Sequence, residues 1–362
     1  MNFNAIFLKS FRVLLLPFAL LYGVIIIVRN LLYDKKMLRS SEFNFPLICV
    51  GNLSVGGTGK SPMVEYLIQL LRPHFKIATV SRGYKRKTKG YVLAKESSTA
   101  LDIGDEPMQF HINFPDITVA VGEERLVAIP QLLHDRPDTQ AIILDDAFQH
   151  REVRPGLNIL LTPYDDLFTN DFFLPTGDLR DQRSSYKRAD IIIVTKCPAT
   201  LDETERKEIV NEIEPQAHQN IFFTTIEYGV PYHISNHSFR KITHEDEVLL
   251  VCGIANPKPL KEYLFDNAAT YYQMDYNDHH IFRIDDLKDI RKKYEHISAD
   301  KKMIITTEKD AVRLMKFTDE LHDMHLYVLP IRHRFLFNAG TEFDEIVVRF
   351  IRNFKMREEL IS

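Results

Sequence analysis

Near its start the chain carries an uncharged apolar run, Val13 to Val28, bounded by Arg12 and Arg29. About 20 residues are needed to cross a hydrocarbon core, so the run is slightly short for a spanning helix, and Pro17 and Gly23 weaken it further. Beyond it the pattern changes to short apolar runs of strand length, several of them separated by stretches with helical spacing. Phe45 to Val50 reads as a buried strand ending at Gly51, and Met63, Tyr66, Leu67 and Leu70 then recur on one face of a helix from Ser61 to Leu71. Strand-like runs follow at Ile77 to Val80, Ile117 to Val121, Ala141 to Leu144 and Leu157 to Leu161. Strands alternating with helices predict an α/β fold, with a mostly parallel sheet flanked by helices on both faces.

The second half repeats this construction without repeating the sequence. Strands are expected at Ile191 to Val194, Phe222 to Ile226, Val248 to Val251, Met303 to Ile305 and Leu326 to Leu329, with charged helices over residues 202–213 and 286–295. Thr341 to Arg357 reads as an amphipathic helix carrying Phe343, Ile346, Val347, Phe350, Ile351 and Phe354 on one face. The polar stretch RDQRSSYKRAD is the expected boundary. The organisation is then an N-terminal membrane-associated helix (1–34), a first α/β domain (35–185), a smaller second α/β domain (186–335) and a C-terminal helix (336–362).

Composition narrows the class. With 362 residues, 45% hydrophobic and 27% charged, the chain is a folded protein long enough for two domains. A net charge of -4 excludes the strong basic excess that nucleic-acid wrapping needs. The first 40 residues nevertheless hold six basic side chains against one acidic, Asp34. Basic residues at both ends of the apolar run suit anionic headgroups, so the run is read as a helix partly embedded in the cytoplasmic leaflet; a true single span and a buried core helix are the alternatives. No small-residue cleavage site follows it. Cys49, Cys197 and Cys252 are far apart, without metal-ligand spacing, and read as buried reduced thiols of a cytoplasmic body.

Ser54-Val55-Gly56-Gly57-Thr58-Gly59-Lys60-Ser61 has the form of a Walker A loop, with serine at the first glycine position. Glycines let backbone N–H groups turn inward around phosphate oxygens at a helix N-terminus. Lys60 would reach the β- and γ-phosphates of ATP, and the Ser61 hydroxyl would ligate Mg2+. Ala141-Ile142-Ile143-Leu144-Asp145-Asp146 supplies the matching apolar strand ended by two carboxylates, which should point to opposite faces and do different jobs at the metal.

The run from Pro46 to Pro62 resembles the corresponding run of the tetraacyldisaccharide 4'-kinases, the lipid A kinases. So do Ser81-Arg82-Gly83-Tyr84, Gly104-Asp105-Glu106-Pro107, Leu144 to His150, Leu174 to Arg180, Gly253 to Pro257, Asp278-His279 and Thr307 to Val312, in family order. Departures are mild: Ser61 stands for the usual threonine, Ala147 for the usual glycine, and the loop around Thr176 and Asp178 differs. The resemblance implies transfer of the γ-phosphate of ATP to the 4' hydroxyl of a tetraacylated glucosamine disaccharide 1-phosphate, at the cytoplasmic side of the inner membrane. It also implies that Asp105 orients or deprotonates that hydroxyl, with His279 as its partner. Read without the family, Asp105 could cap the helix starting near Glu106, and His279 could belong to a polar loop.

The dense basic loop Arg82, Lys85, Arg86, Lys87, Lys89 is either a solvated turn or a contact for substrate phosphate or lipid headgroups. Lys309 and Asp310 follow a strand and read either as cleft-facing residues or as salt-bridged ones at the surface. Two further classes compete. A P-loop ATPase or GTPase with a regulatory output is suggested by Val194-Thr195-Lys196, although Pro198 occupies the position where guanine recognition needs aspartate. The other is a nucleotide-gated membrane-binding module without catalysis.

Overall fold

The computed structural model describes residues 12–278 and 280–359. Leu47–Asn52 is buried along its whole length, and its side chains alternate between two apolar layers: Leu47 and Cys49 enter one, Ile48 and Val50 the other. A strand apolar on both sides belongs at the middle of a covered parallel sheet, and it lies there. It pairs in parallel with Ala141–Asp145 on one side and Leu157–Pro163 on the other. The full sheet has nine strands in the order 331–335, 220–228, 191–195, 157–163, 47–52, 141–145, 77–81, 118–121 and 92–93. The two outermost strands run antiparallel to their neighbours, and the other pairings are parallel.

The helix Lys60–Leu71 packs Met63, Val64, Leu67 and Leu71 into one layer. The C-terminal helix Gly340–Glu359 adds Phe343, Val347 and Ile351, spaced four residues apart, to the same layer. Each fully buried aliphatic side chain of this kind is worth about 1.5–3 kcal/mol.

The second sheet has five strands in the order 232–233, 326–329, 302–307, 247–252 and 270–275, parallel except for the short 232–233 edge. The boundary expected near residues 180 to 190 does not follow the sheets. Ile191–Thr195 and Asn220–Tyr228 hydrogen-bond into the larger sheet, and the chain returns to it as Ile331–Phe335. The smaller sheet is therefore an insertion between two neighbouring strands of the larger one. Apolar parallel strands separated by charged helices look alike in both sheets, which is why local pattern misplaces the division.

The N-terminal helix spans Leu16–Asp34, and its nineteen residues at ~1.5 Å each reach roughly 29 Å. Pro17 sits in the first turn, where a missing N–H costs nothing, and the helix runs on past Arg29. Phe18, Leu20, Leu21, Val24, Ile25 and Leu31 stay exposed, while Ala19, Gly23, Asn30 and Tyr33 face the body. A helix with so much outward apolar surface is not a core helix.

Candidate active site

Between strand Leu47–Asn52 and helix Lys60–Leu71 the chain makes a loop whose Gly56 and Gly59 have φ of +105° and +88°. Glycine is needed at these two positions, because a Cβ disfavours left-handed backbone. Ser54 lies in an extended bridge to Leu179, so its serine in place of glycine carries no strain.

Lys60 Nζ donates to Asn52 Oδ1 at 3.1 Å and lies 3.7 Å from Asp146 Oδ1. Arg180, arriving from far along the chain, donates to both carboxylate oxygens of Asp146, at 3.1 Å to Oδ2, and also to Asn52 Oδ1. Burial pushes Asp146's carboxyl up, but Lys60 and Arg180 outweigh it and hold it at about 2. Burial likewise lowers the Lys60 ammonium, against the pull of Asp146.

Asp145 has the opposite fate. It is buried on the Ser81 hydroxyl, which donates to Oδ2 at 3.2 Å. Burial, and then the charge of Asp146, pushes it up to about 6. The two aspartates thus differ as strand alternation leads one to expect, and the left-handed φ of +50° at Asp146 turns the chain between them.

The loop is buttressed through its carbonyls. His333 Nε2 donates to Gly59 O at 2.9 Å, which fixes the tautomer so that Nδ1 accepts from the Thr224 hydroxyl, also at 2.9 Å. Thr195 Oγ1 donates to Thr58 O at 2.9 Å, and Lys196 Nζ donates to Gly57 O. Burial holds His333 at about 4, so it is neutral. The Val194-Thr195-Lys196 run therefore braces the phosphate loop.

On the other side of the aspartate pair lies Arg125, 1% exposed, with Nη1 donating to Gly122 O. Burial lowers it to about 10. Nearby His150 is held at about 4 by burial and then by Arg125 and Arg82. Of the basic loop, the Arg86 side chain is buried on Glu123 at 2.7 Å and structural, whereas Arg82, Lys85, Lys87 and Lys89 are exposed.

Asp105 occupies the first turn of helix Asp105–Asn113, with Gly104 at the cap position and no side-chain capping bond. Its Oδ2 accepts from Arg313 Nη2 at 2.7 Å and Nε at 3.0 Å, and Arg313 also lies 3.3 Å from Asp310. Lys309 pairs with Glu106 at 3.3 Å, so it faces the first lobe. Asp310 is buried and accepts from the Gly253 N–H at 2.9 Å. Asn113 Nδ2 bridges Glu65 at 2.9 Å and Glu308 at 3.3 Å. Burial raises Glu65 to about 7 and raises Glu308 too, with Glu65 adding to the latter. Helix Glu308–Leu314 thereby fastens the smaller lobe to the helix that bears Asp105. His279 lies outside the described residues. Its neighbour Asp278 is close enough to Asp310 to add to the rise that burial causes there.

Ser61, Asp145 and Asp146 offer hard oxygen donors of the kind Mg2+ takes. Among the described residues no ion pair reaches Asp145, whose charge is opposed by burial and Asp146 and eased only at longer range by Lys60, so the donor set fits a cation. Among the described residues no group of three or more His, Cys, Asp or Glu side chains is placed so as to hold a metal ion. All three cysteines are buried and free.

A glycine loop running from a central strand into a helix, with a lysine drawn to the aspartates of the adjacent strand, places the chain among P-loop phosphotransferases. The family described as tetraacyldisaccharide-1-P 4'-kinase matches residues 11–352. A tetraacyldisaccharide 4'-kinase of Flavobacterium johnsoniae is 48% identical over 346 residues, 94% of this chain and 97% of that protein. One of Bacteroides thetaiotaomicron is 41% identical over 354 residues, 93% of each. Among solved structures, the "apo" form of LpxK from Aquifex aeolicus in complex with ATP superimposes with a TM-score of 0.74 at 27% identity, covering 94% of this chain and 99% of that one. The chain belongs to the tetraacyldisaccharide 4'-kinase family, ATP-dependent kinases of lipid A biosynthesis.

Proposed function

We propose that the chain moves the γ-phosphate of ATP onto the 4' hydroxyl of a tetraacylated glucosamine disaccharide 1-phosphate at the cytoplasmic face of the inner membrane. The observation that carries this reading is the joining of a P-loop to a lipid-seeking helix in one chain of this family. The N–H groups of residues 54–61 cradle the phosphates, and Lys60 neutralises their charge. Ser61, Asp145 and Asp146 are the residues that would hold Mg2+, which screens charge on the transferring group. Asp105 accepts the hydroxyl proton, oriented by His279, while Arg313 ties it to the second lobe. By sheet membership, the two domains divide at residues 229–231 and at Pro330.

The test is incubation in detergent with γ-labelled ATP and the tetraacylated disaccharide 1-phosphate. Label in the lipid is expected. ATP consumption with all label in free phosphate would favour the regulatory ATPase reading, and binding without consumption the membrane-binding module.

A further inference from the structure

The body-facing side of the N-terminal helix is bonded to one particular segment. Tyr22 Oη donates to the Arg180 carbonyl at 3.0 Å. Asn30, fully buried, donates through Nδ2 to Asp181 Oδ1 at 2.7 Å. Asp181 is 1% exposed and also accepts from Ser185 Oγ at 3.0 Å and Arg188 Nη2 at 2.9 Å. Arg12 reaches Pro175 O at 3.0 Å and Asp178 Oδ1 at 2.7 Å, and an added Cβ on Gly23 would come within 2.7 Å of the Phe173 ring.

The segment held in this way enters the site twice. Arg180 N donates to Leu53 O at 2.9 Å and Val55 N donates to Asp178 O at 2.8 Å, so residues 178–180 pair strand-fashion with the first residues of the phosphate loop. The Arg180 guanidinium then grips Asp146 and Asn52. A polar residue in an apolar, lipid-facing helix is costly unless it is bonded, and Asn30 is bonded to the residue next to Arg180.

We propose that Tyr22 and Asn30 are positioning residues for phosphoryl transfer: they hold residues 178–181 so that Arg180 stays on Asp146 and the phosphate loop keeps its shape. The helix that seeks the membrane is thereby part of the catalytic scaffold. Small displacements of such groups cost rate steeply.

The full chain is assayed in detergent micelles with ATP and the lipid acceptor, and its binding to liposomes is followed by flotation. Asn30→Ala should lower kcat about tenfold and Tyr22→Phe about threefold, with the lipid KM within about twofold and flotation unchanged. In an Arg180→Lys background, Asn30→Ala should add little, a non-additivity that simple loss of stability does not produce. Tyr22→Phe removes one hydroxyl and keeps the test decisive where Asn30→Ala lowers the folded yield. An unchanged kcat with a raised lipid KM, or losses that multiply fully in the double variant, would overturn the inference and leave the helix a lipid contact alone. The inference rests on Arg180 belonging to the site. Wild-type turnover in Arg180→Ala removes that premise, whereas lost turnover there beside normal Tyr22→Phe and Asn30→Ala removes only the helix's role.

Discussion

Asp145→Asn should make the nucleotide-free protein more stable while abolishing its activity. Asp145 is 7% exposed, it accepts a hydrogen bond from the Ser81 hydroxyl, and burial with the adjacent Asp146 pushes it to about 6. An unfolded aspartate ionises near pH 4, so the displacement is about 2 pH units, or about 3 kcal/mol at 1.36 kcal/mol per unit. The sign follows from proton counting. Between pH 4 and 6 the unfolded chain has released this proton while the folded chain still holds it, so stability falls as pH rises across that window and stays low above it. Asparagine keeps the shape and an acceptor for Ser81 but has no charge to bury. Its carboxamide N–H2 recovers only part of the difference, which leaves a net gain of about 1–2 kcal/mol above pH 6 and nearly none at pH 4. For a chain of this size that is a rise in Tm of a few degrees. The measurement is thermal unfolding from pH 4.5 to 8 in EDTA, repeated with MgATP, which should stabilise the wild type and shrink or reverse the gap. An Asn variant that melts below the wild type at pH 8 in EDTA, with a gap independent of pH, would refute the reasoning.

Lys60→Ala and Asp146→Ala should each abolish phosphoryl transfer and leave the circular dichroism spectrum unchanged; near wild-type turnover in either would dismiss the site. His333→Leu removes the bond to the Gly59 carbonyl and should raise the KM for ATP about tenfold, equally at pH 6 and pH 8, because His333 is already neutral at both. Asp105→Ala should lower kcat by about 10² or more, and His279→Ala should add little to it if the two act as one unit. Additive losses, or a raised ATP dissociation constant as the main defect of His279→Ala, would make His279 a nucleotide or metal ligand.

The parts of the site that are contiguous in sequence were legible before the structure. Gly56 to Ser61 form a loop in which glycine, lysine and hydroxyl sit at fixed offsets, and Asp145 and Asp146 follow an apolar strand. What could not be read arrives from afar. Arg180 meets Asn52 across 128 positions and His333 meets Gly59 across 274, and no local pattern marks such a meeting. Arg180 lies inside the Leu174 to Arg180 run that resembles the family, and the fork geometry of an arginine suits a carboxylate pair. Asn30 was hidden differently. Hydropathy stops at Arg29, whereas the helix continues because Arg29, Asn30 and Tyr33 turn toward the body, where Arg29 donates to the Gln149 carbonyl at 3.0 Å.

The insertion of the smaller sheet between Asn220–Tyr228 and Ile331–Phe335 has a consequence for how a ribosome delivers this enzyme. The phosphate loop emerges early, but the strand that closes the sheet's edge, and the histidine that props Gly59, come about 270 residues later. Until then Asn220–Tyr228 is an unpaired edge, the kind of surface that invites pairing with another chain. The intervening hundred residues can collapse by themselves, since their strands bond to one another. Once they have done so, Tyr228 and Ile331 stand opposite each other, and the late strand has only a short distance to travel. Synthesis from the N-terminus thus keeps the nucleotide site unfinished until nearly the whole polypeptide exists.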